Sequence, residues 1–221
     1  MIDFAAARRL MVDGQVRTAD VTDPRLLAAM LELPRERFFP EDKLSLSYLD
    51  RDVAVSEPGL AVRRLLKPMV LAKLIQAADI AATDHVLDVG CATGYSTALL
   101  ARLAGSAVGL EQDFVLAGQA AKALADLGLT NAKVATGALA AGCPGQGPYD
   151  AIVMQGATEI VPHALIGQLK AGGRLVCILG SGPGAKAMLY RTIEGEVSGR
   201  PVFDAAAPPL PGFTKPAEFV F

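Results

Sequence analysis

Hydrophobic residues in the second half of the chain alternate between short apolar runs and longer segments with apolar residues at helical spacing. The short runs predict strands over residues 85–90, 106–111, 132–136, 149–155 and 173–180. The longer segments predict helices over residues 94–104, 114–127 and 160–170. Strands that alternate with helices of this length are typical of βαβ units. We therefore predict an α/β fold with a mostly parallel, doubly wound sheet over residues 81–221.

The first 80 residues follow a different pattern. Apolar residues form a rough helical stripe over 3–19, and the sequence DPRLLAAMLEL predicts a second helix with Thr22 or Asp23 as its cap. The stretch RERFFPEDKLSLSYLDRDVAV has no clear period and is interpreted as loop and short strand. Residues 1–80 are therefore expected to form a small helical and irregular addition packed on the core.

Proline and glycine mark the remaining changes of pattern. Pro58-Gly59 is a break, and Pro68 suits the first turn of a third helix. Towards the C-terminus, strands are predicted over 187–192 and 219–221, joined by the Pro-rich sequence AAAPPLPGF. The sheet is thus expected to end in an antiparallel C-terminal strand.

Composition excludes several classes of protein. No apolar run reaches the roughly 18 residues that a membrane span requires, and the opening MIDFAAARRLMVDGQ lacks the pattern of a signal peptide. We therefore expect a cytoplasmic protein. The net charge of −2, without a basic stripe, argues against a nucleic-acid partner. Oligomeric state leaves no signal in the sequence.

Cysteine and histidine are too few and too scattered for a metal site. The three cysteines, Cys91, Cys143 and Cys177, form no C-x-x-C pair, and His85 and His163 are isolated. This spacing argues against a zinc site and against a disulfide framework. No metal is expected.

The sequence from His85 to Ala101, HVLDVGCATGYSTALLA, joins a predicted strand to a predicted helix through a glycine loop. Glycine lets the backbone approach a ligand closely, and the free N–H groups at a helix start favour anionic groups. A strand, a glycine turn and a helix N-terminus in this order form a nucleotide-binding corner.

Three classes of nucleotide ligand compete for this corner. A P-loop requires Lys after its last glycine; Tyr95 stands there, which argues against ATP or GTP hydrolysis. A dinucleotide site requires G-x-G-x-x-G, and Ala92 interrupts that pattern, which disfavours an NAD-dependent oxidoreductase. S-adenosyl-L-methionine sites accept a looser glycine pattern and often carry an acidic residue just before the first glycine, as Asp88 stands before Gly90.

Two carboxylates are predicted to face the ligand. Glu111 ends the next strand, 21 residues after Gly90, where it either accepts both ribose hydroxyls or remains a solvated charge. Asp88 either lies near the amino group of the methionine moiety or caps the next turn. Tyr95 either contacts the cofactor or packs, and Cys91 is interpreted as a small loop residue rather than a nucleophile.

Longer stretches of the chain resemble the protein-L-isoaspartate O-methyltransferase family, over about residues 8–180. They are VDGQVRTADVTDPRLLAAMLELPRERFFP, the glycine corner, LADLGLTNAKVATG and PYDAIVMQGATEIVPHALIGQLKAGGRLV. The resemblance implies a Rossmann-like methyltransferase that binds S-adenosyl-L-methionine at the carboxyl ends of its strands. Together with the corner, it implies a cofactor site formed by Asp88, Gly90, Cys91, Ala92, Gly94, Tyr95, Glu111, Gln112, Gly137 and Ala138.

The chain departs from the family at the segment that should face the substrate. Aligned on Pro68, Leu66 stands where the family has a hydroxyl residue, and leucine cannot donate a hydrogen bond. Arg63, Arg64 and Lys67 bring three positive charges to the same segment. They form either an ordinary solvated basic face or the group that holds an anionic substrate.

A second departure lies on the adenine side. Ala138 follows Gly137 where the family has an aspartate that faces the adenine amino group, so one acceptor is absent. Losing one hydrogen bond of about 0.5–1.5 kcal/mol weakens cofactor binding without abolishing it.

The resemblance implies methylation of L-isoaspartyl carboxylates in damaged proteins, which begins their repair. A carboxylate is already ionised at neutral pH, so this reaction needs alignment more than proton transfer, and no catalytic residue is assigned. The alternatives are a degenerate member that binds the cofactor or a partner without isoaspartyl methylation, and an enzyme that methylates another anionic acceptor.

Overall fold

The structure, a computed structural model, describes residues 2–56, 62–193 and 195–215. The break at Pro58-Gly59 and the strand predicted over 219–221 lie outside these residues. The longer N-terminal helices are α1 (Phe4–Met11), α2 (Pro24–Glu32) and α3 (Pro68–Ala77). Asp23 caps α2, because its carboxylate accepts hydrogen bonds from the first backbone N–H groups of that helix.

The stripe predicted over 3–19 is helical in the structure, but it is not one α-helix. After α1 the chain winds into a π-helical segment over Val12–Val16 and a 3₁₀ turn over Arg17–Ala19. The turn ends at Asp20, which has a left-handed φ of 63°. The rough apolar spacing over 3–19 does not by itself distinguish these helix types.

The stretch after α2 contains short elements, as its lack of period indicates. It forms 3₁₀ turns over Arg35–Phe38 and Glu41–Leu46 and then β1 (Val53–Ala54). β1 pairs antiparallel with β2 (Arg64–Leu65).

Seven of the described strands form the main sheet. They are β3 (His85–Val89), β4 (Ser106–Glu111), β5 (Ala132–Thr136), β6 (Tyr149–Thr158), β7 (Leu169–Leu179), β8 (Lys186–Ile193) and β9 (Glu196–Asp204). Their order is β5-β4-β3-β6-β7-β8-β9, parallel up to β7 and antiparallel from β7 to β9. This confirms the predicted Rossmann-like α/β fold.

Helices connect β3 to β4, β4 to β5 and β6 to β7. They are α4 (Tyr95–Leu103), α5 (Phe114–Asp126) and α6 (His163–Ile166). The chain steps outwards from β3 to β5 and then returns to place β6 on the other side of β3. The direction of winding therefore reverses between β3 and β6, and open α/β sheets bind ligands at the carboxyl ends of the strands at such a point.

Two predictions near the C-terminal edge are wrong. The helix predicted over 160–170 is the single turn α6, and β7 begins at Leu169 rather than at residue 173 because Leu169 already pairs with Tyr149. The strand β9, which pairs along β8, was not predicted. Its side chains are exposed or only partly buried, so no apolar alternation marks it as a strand.

Alternating strand residues face two apolar clusters, one on each side of the sheet. On the first side, residues such as Val86 and Val153 pack with buried side chains from α1 to α5. On the second side, residues such as Leu87 and Ile152 pack with α6 and with Leu210 of the C-terminal segment. The N-terminal helices thus share the first cluster with the core.

Candidate active site

The glycine corner lies at the carboxyl end of β3, as predicted. Gly90 and Gly94 have φ values of 81° and 95°, and Ala92 between them has a φ of 49°. The N–H groups of Gly90 and Cys91 donate to the carbonyl of Leu110 in β4, at 2.8 and 3.1 Å. These positive φ angles and cross-strand bonds hold the loop in a fixed turn from β3 into α4.

Asp88 is fully buried at the end of β3 and lies at the point where the winding reverses. Its carboxylate accepts hydrogen bonds from Ser96 Oγ and Thr97 Oγ1, both at 2.6 Å, and from Gln155 Nε2 at 2.7 Å. Burial raises the pKa of Asp88 to about 6, against the effect of these donors. Asp88 therefore ties the start of α4 to β6. The roles of Thr97 and Gln155 in this network were not predicted from the sequence pattern.

Glu111 ends β4 and is also fully buried. The backbone N–H groups of Gln112 and Asp113 donate to its Oε1 at 2.8 and 3.2 Å, and that of Ala92 donates to its Oε2 at 2.8 Å. The carboxylate thus binds the turn after β4 and the glycine loop at the same time.

Arg63 completes the surroundings of Glu111. Its Nε lies 3.1 Å from Oε1 and 3.3 Å from Oε2, and its Nη2 lies 3.0 Å from Oε2. Nη2 also donates to the carbonyl of Gly90 at 3.0 Å. The Arg63 side chain is 5% exposed and that of Glu111 0%, so this is a buried ion pair. Arg63 was predicted to lie either on a solvated basic face or beside an anionic substrate. Both predictions are wrong for this side chain, because it is buried and paired with Glu111.

The C-terminal segment covers the same edge of the sheet. The carbonyl of Pro208 accepts from Ala157 N at 2.9 Å, and Leu210 N donates to the carbonyl of Ala157 at 2.8 Å. A Cβ atom on Gly90 would lie 2.8 Å from Leu210 Cδ2, and one on Gly156 would lie 2.8 Å from Leu210 Cγ. The two glycines therefore let Leu210 pack directly on the loop backbone.

Leu66 lies in the segment that was predicted to face the substrate. Its side chain is buried, and its carbonyl accepts from Nη2 of the buried Arg35 at 2.8 Å. Arg64 and Lys67 are half-buried, and Lys67 N donates to Asp52 Oδ1 at 2.8 Å. Of the three predicted cations in this segment, only Arg63 is recorded on Glu111 among the described contacts.

The other predicted cofactor residues divide into a buried and an exposed set. The ring of Tyr95 is fully buried against Phe38 and under the guanidinium of Arg35, so its side chain packs in the core. Burial raises the pKa of the Cys91 thiol well above its ordinary value, which opposes a nucleophilic role. Gln112 and Ala138 are exposed at the rim, with Gly137 half-buried beside them. These residues follow β4 and β5 and are the solvent-accessible part of the predicted set.

Two other kinds of site are absent from residues 2–56, 62–193 and 195–215. Within them, no group of three or more His, Cys, Asp or Glu side chains is placed to hold a metal ion. Within the same ranges, no helix has the length and apolar character needed to cross a membrane.

Comparison with known proteins gives consistent matches. A sequence profile of the protein-L-isoaspartate(D-aspartate) O-methyltransferase family matches residues 7–206. The protein-L-isoaspartate O-methyltransferase 1 of Rhodopseudomonas palustris is 36% identical over 211 residues, which are 95% of this chain and 84% of the relative.

Two solved structures have the same fold. One, named as a protein-L-isoaspartate O-methyltransferase, aligns with a TM-score of 0.82 at 24% identity, over 93% of this chain and 66% of its own. The other, from Plasmodium falciparum and described as a beta-aspartate methyltransferase in complex with S-adenosyl-L-homocysteine, aligns with a TM-score of 0.73 at 18% identity. The second alignment covers 95% of this chain and 99% of the Plasmodium falciparum chain.

Proposed function

The chain belongs to the protein-L-isoaspartate(D-aspartate) O-methyltransferase family, and from this premise we propose that it methylates the carboxylate of L-isoaspartyl residues in damaged cytoplasmic proteins. The cofactor is S-adenosyl-L-methionine, and the reaction begins the repair of the damaged protein. The observation that carries the proposal is the family match over residues 7–206, which includes the whole glycine corner.

The chemical groups at the corner fit this cofactor in kind. Glu111 is a carboxylate at the end of the strand next to β3, where such folds accept ribose hydroxyls. Gly90 and Gly94 hold a loop whose backbone can approach a ligand closely, and the N-terminus of α4 favours an anionic group. Gln112 and Ala138, which are exposed after β4 and β5, are proposed to lie beside the base. In the described conformation, Arg63 pairs with the Glu111 carboxylate that we propose as the ribose acceptor.

The reaction asks the protein for alignment and for exclusion of water. S-adenosyl-L-methionine supplies an electrophilic methyl group on a sulfonium. The acceptor carboxylate, with an ordinary pKa of about 4, is ionised at neutral pH and needs no general base. The chain's task is to hold that carboxylate in line and to keep the site dry. We propose Arg64 and Lys67 as donors to the acceptor, because the buried Leu66 side chain offers none.

A methyl-transfer assay tests the proposal. The full chain is incubated with methyl-labelled S-adenosyl-L-methionine and with two peptides that differ only in carrying isoaspartate or aspartate at one position. We expect base-labile label on the isoaspartyl peptide alone. Glu111→Gln is expected to abolish labelling, while Glu32→Gln, the same change in an exposed ion pair with Arg102, leaves it intact. Equal labelling of both peptides, or no label at millimolar peptide, contradicts the proposal.

A second candidate function is a member that binds the cofactor or a partner without isoaspartyl methylation. The observation that favours it is Leu66, whose buried side chain replaces the hydroxyl that the family resemblance places beside the reacting carboxylate. Binding of S-adenosyl-L-homocysteine without transfer to the isoaspartyl peptide would support it.

A further inference from the structure

The ion pair between Arg63 and Glu111 connects two parts of the chain that serve different sides of the site. Arg63 precedes β2, in the segment expected to face the acceptor, and Glu111 ends β4, 48 residues away in sequence. Both side chains are almost completely removed from solvent. A buried ion pair contributes little net stability compared with apolar packing, so its presence at a ligand site calls for a functional explanation.

Glu111 has no free acceptor position for a ligand in this arrangement. An ionised carboxylate offers about four lone-pair sites. Three backbone N–H groups, from Ala92, Gln112 and Asp113, hold part of them and belong to the loops themselves. Arg63 makes the remaining contacts through Nε and Nη2. Only the contacts of Arg63 come from a side chain that can leave without unfolding a loop.

The same guanidinium also fills the approach to the glycine loop. A Cβ atom on Gly90 would lie 2.7 Å from Arg63 Nη2, so no space remains over this glycine for a ligand. Nη2 donates to the Gly90 carbonyl at 3.0 Å as well. Arg63 therefore occupies both hydrogen-bonding positions on Glu111 and the space over Gly90.

We propose that Arg63 is an internal competitor for the ribose position, so that the nucleoside cofactor binds only when the guanidinium leaves Glu111. This inference rests on the proposed function for the identity of the cofactor. The apparent dissociation constant is then the intrinsic constant divided by the fraction of molecules in which Arg63 has left. Removing the guanidinium should tighten binding, whereas a residue with a purely structural role would weaken it when replaced.

Calorimetric titration with S-adenosyl-L-homocysteine tests whether removing the guanidinium tightens binding. The wild-type chain is compared with Arg63→Gln, Arg63→Lys and the control Arg102→Gln, which makes the same charge change in an exposed side chain paired with Glu32. We expect Arg63→Gln to bind at least tenfold more tightly, which is about 1.4 kcal/mol. Arg63→Lys, with a single ammonium in place of the planar fork, should bind with intermediate affinity. Arg102→Gln should stay within twofold of the wild type.

Circular dichroism on each variant shows that it is folded, and Arg63→Lys keeps the test valid if Arg63→Gln does not fold. The inference is overturned if every folded Arg63 variant binds no more tightly than the wild type. If the wild type still methylates the isoaspartyl peptide in that case, only the inference about Arg63 is wrong and the proposed function stands. If Arg63→Gln binds S-adenosyl-L-homocysteine tightly but the wild type does not methylate the isoaspartyl peptide, the role of Arg63 as competitor is supported and the proposed function is overturned.

Discussion

Replacing Glu111 by glutamine removes one charge from the most deeply buried ion pair recorded in the described structure. The amide nitrogen of glutamine must take the place of one carboxylate oxygen. At Oε1 it would meet the N–H groups of Gln112 and Asp113, and at Oε2 it would meet the N–H of Ala92 and Nη2 of Arg63. Either orientation sets a donor against at least two donors.

The change also leaves Arg63 buried without an anion. Breaking a buried pair by removing one partner costs about 3–5 kcal/mol, because the remaining charge is neither hydrated nor paired. Arg63→Gln should cost less, since Glu111 keeps its three backbone donors. The order of the two variants, with Glu111→Gln the less stable, follows from this asymmetry.

Urea denaturation followed by circular dichroism measures both free energies of unfolding. The matched control is Glu32→Gln. The side chain of Glu32 is 60% exposed and that of its partner Arg102 is 37% exposed, so the expected loss of unfolding free energy is below about 1 kcal/mol. The reasoning is refuted if Glu111→Gln costs no more than the control, or if Arg63→Gln proves the more destabilising of the two.

Three further predictions concern the framework of the site. The pKa of Asp88 is raised from its ordinary 3.8 to about 6, so the stability that this group contributes is present at low pH and is lost as the pH rises through 6. Urea titrations should therefore show that the stability difference between wild type and Asp88→Asn changes by about 2 kcal/mol between pH 4.5 and 7.5. A difference that stays constant over this range would contradict the raised pKa. Gly90→Ala should destabilise the fold by roughly 2 kcal/mol, because φ is 81° and the new Cβ would lie 2.7 Å from Arg63 Nη2 and 2.8 Å from Leu210 Cδ2. Gly118→Ala, in an open helical position, should instead stabilise the fold by about 1 kcal/mol. Thermal unfolding distinguishes the two variants. Arg174→Met should cost roughly 3 kcal/mol in the same assay, because the guanidinium lies 2.5 Å from Asp84 and donates to two carbonyls after α3; a loss within experimental error would show that this cluster is not coupled to the fold.

Local patterns in the sequence predict the framework of the site well. The apolar run before Gly90, the glycine spacing and the helix that follows lie within 17 residues, and the structure places all three as expected. Glu111 was expected at the end of the next strand, and it lies there. These features depend on neighbouring residues, which is the information that hydrophobic periodicity and turn chemistry carry.

Contacts between distant segments were not predictable in the same way. Nothing near Arg63 in the sequence indicates that its guanidinium crosses the carboxyl edge of the sheet to a carboxylate 48 residues away. By base rates an arginine is expected at the surface. Leu210 covers Gly90 from a Pro-rich segment that has no period of its own. The strand β9 was missed for a related reason, because an edge strand with exposed side chains shows no apolar alternation.

The crystal structure of the chain with S-adenosyl-L-homocysteine tests the central claim most directly. The account predicts that the ribose hydroxyls lie within hydrogen-bonding distance of the Glu111 carboxylate and that the Arg63 guanidinium has left its position 3.0 Å from Oε2. A bound ligand whose ribose lies elsewhere while the pair between Arg63 and Glu111 remains formed would contradict it.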